Sequence, residues 1–378
     1  MSEYLPPEVI TQILIRLPVE SVVKCTAVCK AWYNLIKDPS FISGHLEAAS
    51  ASPSPHSDLL LLRLVRYGRE VYQLRRDNDA LEAYKQFLLP FVCGDGYFTV
   101  VCTCNGLICL ADLWDIILWN PSIHKHFILP MSVLSYGLTS LSTLGFGFDS
   151  RTNDYKVLLF VPKSSSTENL TEVWLFSLNG CYWKKVSEIY PKHDWSRCKQ
   201  AIVKGAFHWT TCSFNSNGDL FSHMILAFDI STEKFYAMDY PETLVHFAHE
   251  VLLTKYEDSI AVVTQNFDDG QIELWVMKDY GESSSWTKVL HSIDENGELV
   301  FGVECIDVFG VRKNGEVLLK VEWVDEDDYD LATLNLKCHQ QEQELKLVHG
   351  NKVEYDDLFV GSFMESLVLL DIGQGHNV

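Results

Sequence analysis

The sequence contains no apolar run long enough to cross a bilayer as a helix, which takes about 20 residues, and no membrane span is expected. Its N-terminus lacks the basic segment followed by an apolar one that a secretory signal needs, so no leader is expected. Basic side chains are scarce: 30 Lys and Arg stand against 51 Asp and Glu, a net charge of −21. The first fifty residues hold four basic and five acidic side chains, which is −1, so −20 belongs to the remainder. Phosphate binding needs a basic face, which argues against nucleic acid as a partner. A basic protein would be attracted and oriented by this field, though solubility alone accounts for the acidity equally well.

Signals of catalysis are also missing. There is no glycine-rich phosphate loop opening a helix, no nucleophile elbow, and no defensible Ser/His/Asp order. No catalytic residue, metal or cofactor is expected. His124 and His126 alternate as on a strand, as do Cys102 and Cys104, but neither pair has the third and fourth ligands a metal needs. Cys25 and Cys29 have helical spacing and read as small apolar packing groups. The eleven cysteines are odd in number and scattered, which fits reduced thiols in the cytosol or nucleus. Asn169-Leu170-Thr171 is a glycosylation sequon only to the secretory pathway, and is discounted.

Nearly half of the 378 residues are apolar, so the chain is globular with a sizeable core. From Leu5 to Ile42 the pattern is helical. Val9, Ile10, Ile13, Leu14 and Leu17 make one apolar stripe, Pro7 suits a first turn, and Pro18 stops the helix. Cys25, Cys29, Trp32 and Ile36 repeat the helical spacing, and Asp38-Pro39 reads as a closing turn. Forty residues have too little interior to bury all this surface, so part of it is expected to face something else. A helical cap on the rest of the chain is the alternative.

Leu5-Pro6, Leu17-Pro18, Val28-Cys29-Lys30-Ala31-Trp32 and Ile36, in that order, resemble an F-box. The resemblance implies a three-helix module over residues 1–45 that docks on a Skp-type adaptor and, through it, on a cullin–RING ubiquitin ligase. It implies that Leu5, Pro6, Ile13, Leu14, Leu17, Pro18, Val22, Val28, Cys29 and Trp32 lie at or beside the adaptor interface.

Residues 46–57 read as a short joint, small, polar and punctuated by proline. From Asp58 the helical period gives way to short β-branched and aromatic runs broken by Asn, Gly, Asp and Ser. A strand–turn–strand element recurs at 71–90, 116–130, 173–186, 225–241, 272–289 and 332–348, each preceded by another strand pattern. About fifty residues with four short strands is the length of a propeller blade. The expected class is therefore α+β, mainly β: helices, then a six-bladed β-propeller over 58–375. The last apolar run, 361–371, is expected to join the first blade and remove the open sheet edges. A two-sheet sandwich is the alternative. The repeats lack the Gly-Gly doublets of kelch propellers and the Trp-Asp ends of the WD type.

The same region resembles the F-box-associated domain of plant F-box proteins. The matching words run in order: Asn105-Gly106-Leu107, Trp119-Asn120-Pro121-Ser122, Gly145-Phe146-Gly147-Phe148-Asp149, Asp154-Tyr155-Lys156-Val157, Phe207-His208-Trp209, Ala227-Phe228-Asp229, Trp275-Val276-Met277 and Glu365-Ser366-Leu367. In that family the domain captures the target. The resemblance implies a non-catalytic substrate receptor of a Skp–cullin–F-box ligase, whose target is an unidentified protein. The S-locus group, which recognises basic ribonucleases, and a Skp-bound scaffold outside any ligase are the alternatives. Asp325, Glu326, Asp327 and Asp328 form an acidic run that must be solvated or paired, a candidate dock for a basic target. Asp268-Asp269 and Asp356-Asp357 are further acidic turns, and residues 163–169 a candidate recognition loop.

Overall fold

Proline marks the start of three of the four N-terminal helices, and a single side chain, Asp38, caps one of them. The computed structural model describes residues 5–51, 58–66, 69–94, 96–131, 138, 143–162, 171–189, 200–214, 220–241, 244, 251–265, 272–291, 305–312, 314–322, 329–335, 345–347 and 357–372. Helix α1 (Pro7–Leu14) begins on proline, whose missing N–H costs nothing there. Pro18 precedes α2 (Val19–Cys25), and Cys29, in extended conformation, precedes α3 (Lys30–Ile36). Cys25 and Cys29 therefore stand at the ends of two helices, not on one. The turn expected at Asp38-Pro39 is instead the start of a fourth helix, α4 (Pro39–Ala51). Asp38 Oδ1 accepts the backbone N–H of Ser40 at 2.8 Å, as a helix N-cap does, and Pro39 takes the first helical position. The Ala-rich stretch read as a joint continues this helix to Ala51; residues 52–57 lie outside the described residues. The module thus has four helices where three were expected.

The strands follow in blade order. β1 (Leu59–Arg66), β2 (Arg69–Arg76) and β3 (Ala83–Phe87) come first, then β4 (Thr99–Cys104), β5 (Leu107–Ala111), β6 (Ile116–Asn120) and β7 (Lys125–Ile128). Next are β8 (Thr143–Asp149), β9 (Asp154–Pro162), β10 (Thr171–Ser177) and β11 (Tyr182–Ile189), then β12 (Ala201–Val203), β13 (Ala206–Phe214), β14 (Leu220–Asp229) and β15 (Lys234–Asp239). The last are β16 (Val251–Tyr256), β17 (Ser259–Gln265), β18 (Ile272–Met277) and β19 (Trp286–His291), β20 (Cys305–Val311), β21 (Glu316–Glu322), β22 (Tyr329–Asn335) and β23 (Leu345–Leu347), and β24 (Asp357–Phe363). They pair into six four-stranded antiparallel sheets, the blades of a six-bladed β-propeller fold. All six anticipated hairpins are present, as β2–β3, β6–β7, β10–β11, β14–β15, β18–β19 and β22–β23.

The chain divides into two compact units, Met1–Met131 with Asp357–Val378, and Ser132–Asp356. In the first, β24 completes the blade begun by β1, with Leu59 opposite Phe363 and Val65 opposite Asp357. The C-terminus closes this blade as expected, but the strand is 357–363; residues 364–372 leave the sheet. Strands β5 and β6 are buried at every position, which is why their sequences are continuous apolar runs rather than alternating ones. Trp119 anchors the core of the two blades, with Tyr72, Phe87 and Phe91 edge-on to its ring at 5.3, 6.2 and 6.1 Å. His124 sits in the turn before β7 with positive φ, so it does not share a strand face with His126.

In the second unit, Phe207, Trp209 and Phe228 pack against Leu158, Phe160 and Leu175. Gly145 and Gly147 on β8 are required by that packing: a Cβ on either would run into the Trp209 or the Phe207 ring. Asp149 and Lys156, from the hairpin β8–β9, form a buried ion pair at 2.8 Å. Ser231 Oγ and Thr152 Oγ1 also donate to Asp149, at 2.6 and 2.7 Å, and Lys156 donates to the Ile230 carbonyl at 3.1 Å. Burial acts to raise the Asp149 carboxyl, but these donors outweigh it and hold the group well below the usual carboxylate range.

Candidate functional site

The helical module is finished on one side only. Leu14, Val19, Val22, Ile36, Phe41 and Ile42 are buried and form its interior. His45 from α4 is buried with them, and its Nε2 donates to the Leu17 carbonyl at 2.9 Å, which fixes the turn ahead of Pro18. Burial pushes the His45 imidazole down, against the opposing effect of that bond. Val9 and Ile13, four residues apart, share a face of α1, and Leu5 lies ahead of the helix, before Pro6 in extended conformation. All three are open: Leu5 is 54% exposed and Ile13 48%. Val28, between α2 and α3, is 62% exposed.

The ten residues expected at the adaptor interface therefore fall into three groups. Leu5, Pro6, Ile13, Pro18, Val28 and Cys29 are exposed, and Leu17 and Trp32 are half-buried. Leu14 and Val22 are enclosed in the module; they reach a partner only through the shape they impose on their neighbours. The spacing of the stripe did not distinguish Ile13 from Leu14, because both fit a broad helical face.

A second constellation joins words far apart in the sequence. Asn120, at the end of β6, donates through Nδ2 to the carbonyls of Ser366 and Val368 at 3.0 and 2.9 Å. Its Oδ1 accepts the Ser122 N–H at 3.0 Å. Gly106, at φ +82°, faces the same Ser366 so closely that a Cβ would collide with its hydroxyl. Glu365 pairs with Lys85 at 2.5 Å, and Lys125 donates to the Leu370 carbonyl at 3.2 Å. These residues hold the C-terminal segment on the first two blades and are structural.

The acidic candidates Asp325, Glu326, Asp327 and Asp328 lie outside the described residues, as do Asp268, Asp269, Asp356 and the 163–169 loop. Sequence reasoning missed Trp114, a large aromatic held 60% exposed in the β5–β6 loop, since no periodicity marks a loop side chain.

Residues 2–43 match the F-box-like family, and residues 71–344 match the family described as the F-box associated beta propeller domain. Among curated proteins, F-box protein CPR1 of Arabidopsis thaliana is 28% identical, over 88% of this chain and 84% of that protein. A second Arabidopsis thaliana F-box protein is 30% identical, over 84% and 83%. An F-box/kelch-repeat protein of the same plant is 28% identical, over 76% and 79%. Among solved structures, a fungal lectin of six-bladed β-propeller fold from Aleuria aurantia aligns over 78% of this chain and 97% of its own, at 9% identity and a TM-score of 0.38.

Proposed function

We infer the function from the family: the chain belongs to the F-box proteins whose second domain is the F-box-associated β-propeller. An F-box followed by a substrate-binding propeller fits the substrate receptor of a Skp–cullin–F-box ubiquitin ligase. The helices grip a Skp-type adaptor, the propeller holds a protein target, and the adaptor links both to a cullin–RING ligase. The receptor makes and breaks no bonds. It raises the local concentration of target lysines near the conjugating enzyme, an effect that reaches millimolar for short tethers. The thiol usage fits work in the cytosol or nucleus, and no described helix is long and apolar enough to cross a membrane.

The observation that carries this reading is the set of open apolar side chains Leu5, Val9, Ile13 and Val28, on a module whose interior is closed by Leu14, Val22 and Ile36. Stable interfaces bury about 1,600 Å² in total around a few apolar anchors. The test is capture of purified Skp-type adaptor by the full chain, followed by ubiquitin transfer reconstituted with a cullin–RING ligase. Loss of capture on replacing Leu17, Pro18 and Trp32 by Ala, with the propeller still folded, supports the reading. Undiminished capture overturns it. Capture without incorporation into the ligase favours a scaffold role.

A further inference from the structure

We propose that the segment Met364–Ile372 is a splint that locks the helical module onto the first two blades, so that the helices and these blades move as one body. This concerns the chain alone. It goes beyond the receptor reading and does not rest on it.

Six consecutive residues, Glu365 to Leu370, are buried, and none of them belongs to a strand. Consecutive side chains on one segment point in different directions, so burying all six needs cover on more than one side. Four of them, Leu367, Val368, Leu369 and Leu370, are apolar and gain by that cover.

The blades fasten the segment along its length. Tyr84 and Lys85, on β3 of the first blade, donate to the Glu365 carboxylate at 3.2 and 2.5 Å. On the second blade, Asn120 holds the Ser366 and Val368 carbonyls, and Lys125 holds those of Leu370 and Ile372. The segment therefore bridges the two blades.

The helices reach the segment or its anchors at three separate points. At its start, Ser50 Oγ of α4 donates to Met364 Sδ at 4.0 Å. Next to Glu365, Lys85 also acts on Glu20 of α2: Lys24 first, and then Lys85, lowers the Glu20 carboxyl. At the far end, Lys37, which follows α3, acts on Lys125: burial first, and then the Lys37 ammonium, lowers the Lys125 amine, against Asp371 and Tyr33. These helices form one packed unit, since α4 buries Phe41, Ile42 and His45, and His45 bonds the Leu17 carbonyl at 2.9 Å. Relative motion is the default between domains joined by a small interface, and a single chain crossing leaves rotation open. Three separated points of approach remove that rotation.

The experiment uses the full chain with spin labels attached through bio-orthogonal residues at Glu47 of α4 and Asp79 of the β2–β3 turn, both exposed. Double electron–electron resonance gives the distribution of distances between them. The native chain is expected to show one narrow population. Removing residues 364–378 is expected to broaden it at least about twofold, as the default mobility returns. Ser50→Asp with Met364→Asp sets like charges across the 4.0 Å contact and is expected to broaden it too. Ser50→Lys with Met364→Asp is expected to keep the narrow population. A broad distribution in the native chain overturns the proposal. So does a narrow one in the shortened chain, or equal widths for the two charge pairs. Where shortening unfolds the first two blades, seen in the urea transition, the charge pairs alone decide. No adaptor is present in the measurement, so the splint and the receptor reading stand or fall separately.

Discussion

Asn120 and Ser366 stand 246 residues apart, yet the Asn120 amide donates to the Ser366 carbonyl at 3.0 Å and to that of Val368 at 2.9 Å. Both acceptor residues are buried, so removing the amide strands two carbonyls away from water. An unsatisfied buried polar group costs about 1–3 kcal/mol. Asn120→Ala is therefore expected to lower stability by about 2–4 kcal/mol, seen as a drop in the urea midpoint. Asn120→Asp should be at least as damaging, because a carboxylate cannot donate and would face two carbonyl oxygens.

Gly106 touches the same residue from the β4–β5 turn. Its φ of +82° and its approach to Ser366 both exclude a Cβ. Gly106→Ala is expected to cost about 1–3 kcal/mol for the backbone, plus the displacement of Ser366. Ser366→Gly removes the hydroxyl but leaves the Met364 carbonyl, which would stand 2.8 Å from the added Cβ, so partial rescue in thermal unfolding is the expected signature; full rescue would show that neither that carbonyl nor the backbone conformation opposes a side chain.

Much of this was legible beforehand and some was not, for physical reasons. The words containing Asn120 and Ser366 were visible, but their pairing was not, because nothing local encodes a contact across 246 positions. The six hairpins were legible since β-branched and aromatic runs flank polar turns. The fourth helix was missed because Ala48, Ala49 and Ala51 among serines resemble a joint, although alanine is the strongest helix former and Asp38 supplies the cap. The end strand was placed four residues late, as Leu367 to Leu370 are buried without being a strand. The loop that holds Trp114 is tied by Asp112 to Gly94, again a tertiary fact.

Acid should weaken the second unit in two separable steps. Burial pushes the His208 imidazole down to about 4 from an ordinary 6.5, and its Nε2 shares a 2.8 Å hydrogen bond with the Tyr280 hydroxyl. Between those values the unfolded chain takes up a proton that the folded chain refuses, so stability falls as pH falls, by at most about 1.4 kcal/mol per pH unit. Asp149 is shifted in the same direction, so its contribution is present above the ordinary carboxylate pKa of about 4 and is lost below it. His208→Gln is expected to flatten the upper step alone, and Asp149→Asn the lower. Urea midpoints at about pH 7, 5 and 3 check this; an unchanged upper step in His208→Gln would assign it to another group.

The helical module gives the sharpest separation between packing and docking. Leu14 is enclosed while Ile13 and Val28 are open, although all three carry similar aliphatic side chains. Leu14→Ala removes buried methyl groups and is expected to cost about 2–5 kcal/mol within the module. Val28→Asp and Ile13→Asp change only solvated positions and should leave its helicity within about 0.5 kcal/mol of the native chain. If this face meets the adaptor, each Asp variant places an unpaired charge in a desolvated contact and should weaken adaptor binding by a hundredfold or more, about 3 kcal/mol. Circular dichroism of the variants beside adaptor binding by calorimetry separates the effects. Full affinity in both Asp variants would move the docking face elsewhere on the helices, whereas weak binding in Leu14→Ala alone would only report a loosened fold.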